Sequence, residues 1–400
     1  MPTWSRSQIF LPAEHISPQQ LTPGVVVTRR YSTIKSFIWF QQVNNCYEVS
    51  HCEYTWNSAT STLEPGNISI IATSNVNSLI KATSRGDDSI DILYGDKSHD
   101  YSPSMELKHI SYSEESGWST PITVNSTAHV DSSISSVSCI SCAAMNIDIL
   151  FVDTTRTVNR VQINWLDGRP MIGLAKPIPN STINVSKQLR LVAVTDSLSG
   201  GLEVFWLNGD EDRTVIQGAC FSNEHPRWIH GLYVGAGKPE EPHALSQLAG
   251  VSYGEPHGYE SKALFYSDKQ GQMRVLRSIR PGIWSIETLS EKDQVAISSP
   301  MVVLVQPTFK NVFDGQVPYV LEVFWITPTG EVEHLWCENV GMFDGGVARE
   351  VRNIKVSRGG WLIGCATRES EASSSRDVFF SIGVEDGSVR AMHSEFGPDF

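Results

Sequence analysis

The groups best suited to proton transfer in this chain crowd into a few loop-like stretches of its second half. YGEPHGYES, from Tyr253 to Ser261, carries His257 and Tyr259, and QPTFKNVFDGQVPY, from Gln306 to Tyr319, carries Lys310, Phe313 and Asp314. SNEHPRW ends on Arg227 and Trp228, SIRPGIW holds Arg280 and Trp284, and CENVGMFDGG holds Phe343. An imidazole beside a phenol, with a carboxylate or an ammonium as third member, can take and return a proton near neutral pH. Guanidinium groups hold anions through paired donors, and aromatic side chains offer apolar walls. Each has a plain alternative: a loop histidine on the surface, a solvated arginine, a ring packed between repeated units.

Nothing in the sequence calls for a resident cofactor. No GxSxG elbow, P-loop, GxGxxG after a strand, HExxH or EF-hand loop occurs. Seven Cys is an odd number scattered through strand-like segments; the CISC pair at Cys139 and Cys142 is the only close pair besides Cys46 and Cys52, and no second pair or paired His stands at a spacing suited to a metal site. The expectation is structural thiols, no metal and no cofactor. DGSVR at Asp386 and GDEDR at Gly209 read as turns, where Asp and Gly serve backbone geometry, rather than as calcium loops.

The elements that must position these groups show in a repeat. An apolar triplet ending in an aromatic recurs as IWF, ILY, ILF, VFW, LFY, VFW and VFF, closing at residues 40, 94, 151, 206, 266, 325 and 380. The spacings of 54, 57, 55, 60, 59 and 55 mark repeated supersecondary units. An apolar run such as MVVLV precedes each triplet, an alternating run such as EVEHLW follows a turn, and a Trp-led run such as GIWSIETL often comes last. Four short strands per unit predict an all-β, seven-bladed β-propeller of four-stranded antiparallel blades in one domain, 1–400. TWSRSQIF at the N-terminus has the Trp-led form, so Trp4 to Phe10 is expected to join the last blade and close the ring.

Composition sets the class of partner. A net charge of −13 repels a phosphate backbone, and no basic cluster offsets it, so nucleic acid is not an expected partner. No apolar run approaches a membrane span, and mean hydropathy is −0.17. A soluble protein is the expectation; no signal-peptide pattern opens the chain, which favours the cytoplasm but leaves the compartment open, and the sequons at Asn67, Asn125, Asn180 and Asn184 matter only if it is secreted.

This strand grammar resembles that of the fucose-specific lectin propellers of fungi and bacteria, across nearly the whole chain. In those lectins an Arg opens the second strand, a Glu sits on the third and a Trp begins the fourth, repeating one sugar site at each junction. Here the Arg position, three before the closing aromatic, holds Phe37, Asp91, Asp148, Glu203, Ala263, Glu322 and Asp377. Glu is kept at Glu48, Glu106 and Glu333, with Gln162, Ile216, Val275 and Arg390 elsewhere, and Trp persists at Trp4, Trp56, Trp118, Trp228 and Trp284. An acid in place of Arg removes the bidentate donor of such a site.

The chain therefore repeats scaffold and varies the rest. In size and architecture it looks like the fungal hetero-Diels–Alderases of tropolone–sesquiterpenoid biosynthesis, a lectin-like group without cofactor. That resemblance implies small-molecule partners, a polyketide tropolone and a sesquiterpene. A hydroxymethyl tropolone would lose water to give an o-quinone methide, which adds to a humulene-type alkene. It implies a site on the face of the strand 1–2 and 3–4 connections. There His257 and Tyr259 are the proton-transfer pair with Asp314 or Lys310. Arg227 and Arg280 hold an anionic tropolonate, and Trp228, Trp284, Phe313 and Phe343 form walls. Glycan recognition without catalysis is the alternative reading, and a protein-interaction propeller a third.

Overall fold

The computed structural model describes residues 4–9, 25–28, 34–43, 46–57, 59–60, 62–76, 78, 80–85, 89–97, 104–124, 130–131, 137–142, 146–166, 168–184, 191–195, 201–209, 212–221, 227–254, 260–280, 283–289, 295–296, 298–307, 319–338, 348–355, 362–369, 374–381 and 389–396. The described strands group into seven small antiparallel sheets and no helix is present among them. Numbered in chain order, the second strands of sheets I to VII are Ile34–Val43, Ile90–Asp96, Asn146–Val152, Leu202–Gly209, Glu260–Ser267, Tyr319–Ile326 and Ser374–Ser381. Each contains one of the aromatic-closed triplets, so the repeat seen in the sequence is the second strand of each sheet. Trp4–Ile9 pairs with Val389–Phe396, running from Trp4 opposite Ser394 to Ile9 opposite Val389.

Not every sheet has the expected four strands. Sheet II has six, because its outer edge is divided into Gly117–Trp118, Ile122–Thr123 and Val130–Asp131 beside Ser104–Ser113. Pro121 stands between the first two pieces and has no N–H to donate to a ladder, which stops one strand from running through. Sheet III has five strands.

The chain divides into two compact units. Sheets VII, I and II and most of sheet III belong to one, and sheets IV, V and VI to the other. Within the first unit, the leading strands of sheets VII, I, II and III are neighbours in that order; within the second, those of sheets IV, V and VI are.

Burial explains why the triplets read as continuous apolar runs. Six of the eight residues of LEVFWLNG are buried, whereas the third strand TVIQGACF alternates and the fourth, WIHGLYV, is largely open. A strand with both faces covered must be apolar on both. Side chains alternate faces along a strand, so Phe205 and Leu207 of sheet IV meet Leu264 and Tyr266 of sheet V. On the other face of sheet V, Ala263 and Phe265 meet Leu321, Val323 and Trp325 of sheet VI. Sheets I and II share Ile38, Ile90, Ile92 and Tyr94, and sheets II and III share Leu93, Ile147, Ile149 and Phe151.

Trp325 is fully buried in the layer between sheets V and VI. Trp325→Ala is expected to cost about 3–5 kcal/mol through lost contact and cavity. The check is a lowered urea midpoint with an unchanged denaturant slope.

Turns between second and third strands follow glycine geometry. Asp268 N donates to Gln272 O and Gly271 N to Asp268 O, and the same two bonds recur from Thr327 to Glu331 O and from Gly330 to Thr327 O. Gly209 stands at φ +115°, where a Cβ would collide with the Arg213 carbonyl. Gly209 of GDEDR thus serves backbone geometry, while Asp210, Glu211 and Asp386 lie outside the described residues.

Candidate functional site

The position three before the closing aromatic shares a face of its strand with the residue one before that aromatic. In sheets II, III, IV and VI it carries Asp91, Asp148, Glu203 and Glu322, exposed by 0%, 1%, 5% and 0%. A carboxylate taken out of water needs partners, and they differ from sheet to sheet. Asp148 takes both prongs of Arg160, at 2.6 and 3.0 Å. Asp91 lies 2.7 Å from Arg85 Nε and 2.8 Å from His109 Nε2. Glu203 accepts from the Tyr233 hydroxyl at 2.6 Å and from Lys262 Nζ at 3.2 Å.

The Glu203 set joins sheets IV and V at the end where the strand 1–2 and 3–4 connections lie. Glu203 is the second residue of Leu202–Gly209, Lys262 the third of Glu260–Ser267 and Trp284 the second of Ile283–Thr288. Tyr233 comes from the fourth strand of sheet IV through a bulge: Leu232 pairs with Gln217 and Val234 with Ile216, which leaves Tyr233 opposite no residue. The extra residue re-aims the side chain. Gly218 and Gly231 face each other across the strands beneath it, and a Cβ on Gly218 would come within 2.7 Å of the Tyr233 ring. Two glycines in strand interiors thus form the shelf on which the phenol lies.

Aromatic rings close the set on its apolar side. Tyr233 meets Phe205 edge-on at 5.0 Å and Trp284 at 5.3 Å, and Phe205 and Trp284 are 5.5 Å apart. Burial, then the charge and hydrogen bond of Glu203, push the Tyr233 hydroxyl far above the ordinary phenol range. It therefore stays protonated as a donor. Chemically, the arrangement offers an ammonium and a phenol, both oriented by one buried carboxylate, beside an apolar aromatic wall. Such groups can stabilise developing negative charge on oxygen next to a planar ring.

Tryptophan next to a polar group recurs at other junctions with other chemistry. Between sheets I and II, His51 lies 3.2 Å from Ser36 Oγ and 3.4 Å from Ser69 Oγ, and its ring meets Trp118 at 4.9 Å. Between sheets II and III, Arg85 lies over the Trp165 ring at 4.0 Å, and His109 meets the same ring edge-on.

Of the residues singled out in the sequence, Trp284 falls within the Glu203 set. Trp228 begins the fourth strand of sheet IV and packs on Phe221 at 5.3 Å, with exposed Arg227 before it. The Arg280 backbone pairs with Ile283, the first residue of Trp284's strand. His257, Tyr259, Lys310, Phe313, Asp314 and Phe343 lie outside the described residues. Sequence reading passed over Tyr233 and Lys262; the signals were the glycines of QGAC and HGLY and a charge just ahead of the ALFY run. Among the described residues no group of three or more His, Cys, Asp or Glu is placed to hold a metal ion, and no helix is long and apolar enough to cross a membrane.

Glu333, one of the retained lectin-type glutamates, is buried opposite Trp325, at the other end of its sheet from those connections. Burial first, then the charge of Glu331, push its carboxyl up to about 7. A folded-state value above the unfolded one means the native state holds the proton longer. Its contribution is then fully present below about pH 4.5 and lost as pH rises toward about 7. Glu333→Gln is expected to flatten this fall, matching wild type at pH 4 and exceeding it in unfolding midpoint at pH 8.

No protein-family model and no curated protein matches the chain in sequence. Solved structures match its fold. AofleA from Arthrobotrys oligospora aligns over 89% of this chain and 91% of its own at 9% identity, with a TM-score of 0.51. Its triple arginine-to-alanine variant gives 8% identity over 88% and 91%, with a TM-score of 0.53. An ulvan lyase of a polysaccharide lyase family, bound to -[GlcA(1-4)Rha3S]-, gives 10% identity over 97% and 94%, also at 0.53. The fold is an all-β, lectin-like propeller of small antiparallel sheets.

Proposed function

We propose that the chain is a cofactor-free cyclising enzyme of the hetero-Diels–Alderase class, acting on a hydroxymethyl tropolone and a humulene-type sesquiterpene. One observation carries the reading: the buried Glu203–Tyr233–Lys262 set beside Phe205 and Trp284 pairs oriented proton donors with an aromatic wall. In the first step the ring hydroxyl gives up its proton, and the side-chain hydroxyl gains one and leaves as water, giving the o-quinone methide. In the second, that neutral species and the alkene form one C–C and one C–O bond with no further proton change. Lys262 and Tyr233 stabilise negative charge on the ring oxygen during water loss. His257 and Tyr259, with Asp314 or Lys310, move the two protons. Arg227 and Arg280 hold the tropolonate, and Trp284 with Trp228, Phe313 and Phe343 holds both partners in reacting geometry. His257 and Tyr259 precede Lys262 by five and three residues. In this reading residues 1–400 work as one domain.

The test is product formation from the two substrates with and without protein, followed by mass and chiral analysis. Faster formation of one stereoisomer supports the reading. A rate and product mixture equal to the protein-free reaction overturns it.

A second reading is glycan recognition without catalysis. It is favoured by the recurrence of Trp beside polar groups at His51 and Tyr233, since more than one site adds avidity. It predicts saturable signal on a fucosylated glycan array and no adduct.

A further inference from the structure

We infer that the junction between sheets II and III is a receptor for a planar cation, which the chain fills with its own Arg85. The receptor has three parts. Asp91 is a fully buried carboxylate whose two oxygens face Arg85 Nε at 2.7 Å and His109 Nε2 at 2.8 Å. The Trp165 ring lies under the guanidinium, 4.0 Å from its carbon to the ring centroid. His109 closes the side, 1% exposed, and its Nδ1 is buried with no hydrogen bond among the described residues. A carboxylate in ion-pair contact and an aromatic ring at the face select a flat, delocalised cation over a compact ammonium or sodium ion. Arg85 enters from the connection after Ile80–Ser84, fixed by its N–H to Ser89 O at 2.9 Å, rather than from a strand of the ladder. The occupant is thus an insert from a loop, and the receptor is built from the sheets. The same occupancy closes this junction to outside ligands.

Arg85→Ala tests it with methylguanidinium as probe. The variant is expected to unfold at a lower temperature than wild type. Methylguanidinium chloride then raises its midpoint saturably and changes tryptophan fluorescence, whereas sodium chloride at equal ionic strength does neither. Wild type and the Arg85→Ala/Asp91→Asn double variant show no such response. Equal responses of wild type and Arg85→Ala, or equal effects of the two salts, overturn the inference. Should Arg85→Ala not fold alone, refolding yield decides: a yield restored by methylguanidinium and not by sodium supports the receptor, and a yield indifferent to the salt overturns it.

Discussion

Lys262→Met is expected to lower turnover of the tropolone and sesquiterpene pair by about 10²–10³-fold, the scale of removing one donor to a developing oxyanion. Lys262 Nζ is held 3.2 Å from Glu203, whose other oxygen takes the Tyr233 hydroxyl, so the ammonium is fixed before any substrate arrives. Its removal also strands a buried carboxylate, and the single variant loses stability with activity. The Glu203→Gln/Lys262→Met double variant separates the two effects. With both charges gone it should unfold near the wild-type midpoint and remain as slow as the single variant. Lys262→Arg keeps the charge and is expected to recover part of the rate. A double variant with wild-type turnover would remove Lys262 from the chemistry.

Asp91→Ala is expected to lose about 3–5 kcal/mol of stability, because it leaves the buried Arg85 and His109 facing no carboxylate. That is a large share of the roughly 5–15 kcal/mol that holds a typical domain together. Replacing both members of the Arg85–Asp91 pair, as in Arg85→Met/Asp91→Leu, is expected to restore part of the loss, since apolar side chains of similar volume can stand in for a buried pair while His109 still lacks its carboxylate. Urea midpoints of the two variants are the check. A single variant within about 0.5 kcal/mol of wild type would show that the junction tolerates an unpaired cation.

The strands were legible because burial on both faces of a second strand, seen in sheets II, III and IV, forces a continuous apolar run, and seven such runs recur at near-constant spacing. The uniform four-strand unit was not fully legible. Sheet II departs from it where Pro121 interrupts the outer edge, a local effect that a repeat averages away. The acids at Asp91, Asp148 and Glu203 were visible as departures from the lectin Arg, but their meaning was not. Their partners come from different places: a connection six residues before Asp91, a strand twelve residues after Asp148, and for Glu203 residues 30 and 59 positions on. No fixed period links these pairs, so only the fold brings them together. Tyr233 was hidden for a second reason, since a bulge takes it off the alternation by which strand faces are read. Trp284 was found from its Trp-led strand, and it packs against Phe205 and Tyr233.

The most direct measurement is a fluorescence titration of the full chain with tropolone, wild type beside Trp284→Phe and Lys262→Met. If the substrate ring lies against the sheet IV–V wall, tropolone quenches wild-type emission saturably, Trp284→Phe loses most of that quenching, and Lys262→Met needs at least about tenfold more ligand, a change of about 1.4 kcal/mol. Quenching of equal size and midpoint in all three proteins would place tropolone elsewhere and contradict the assignment of this site.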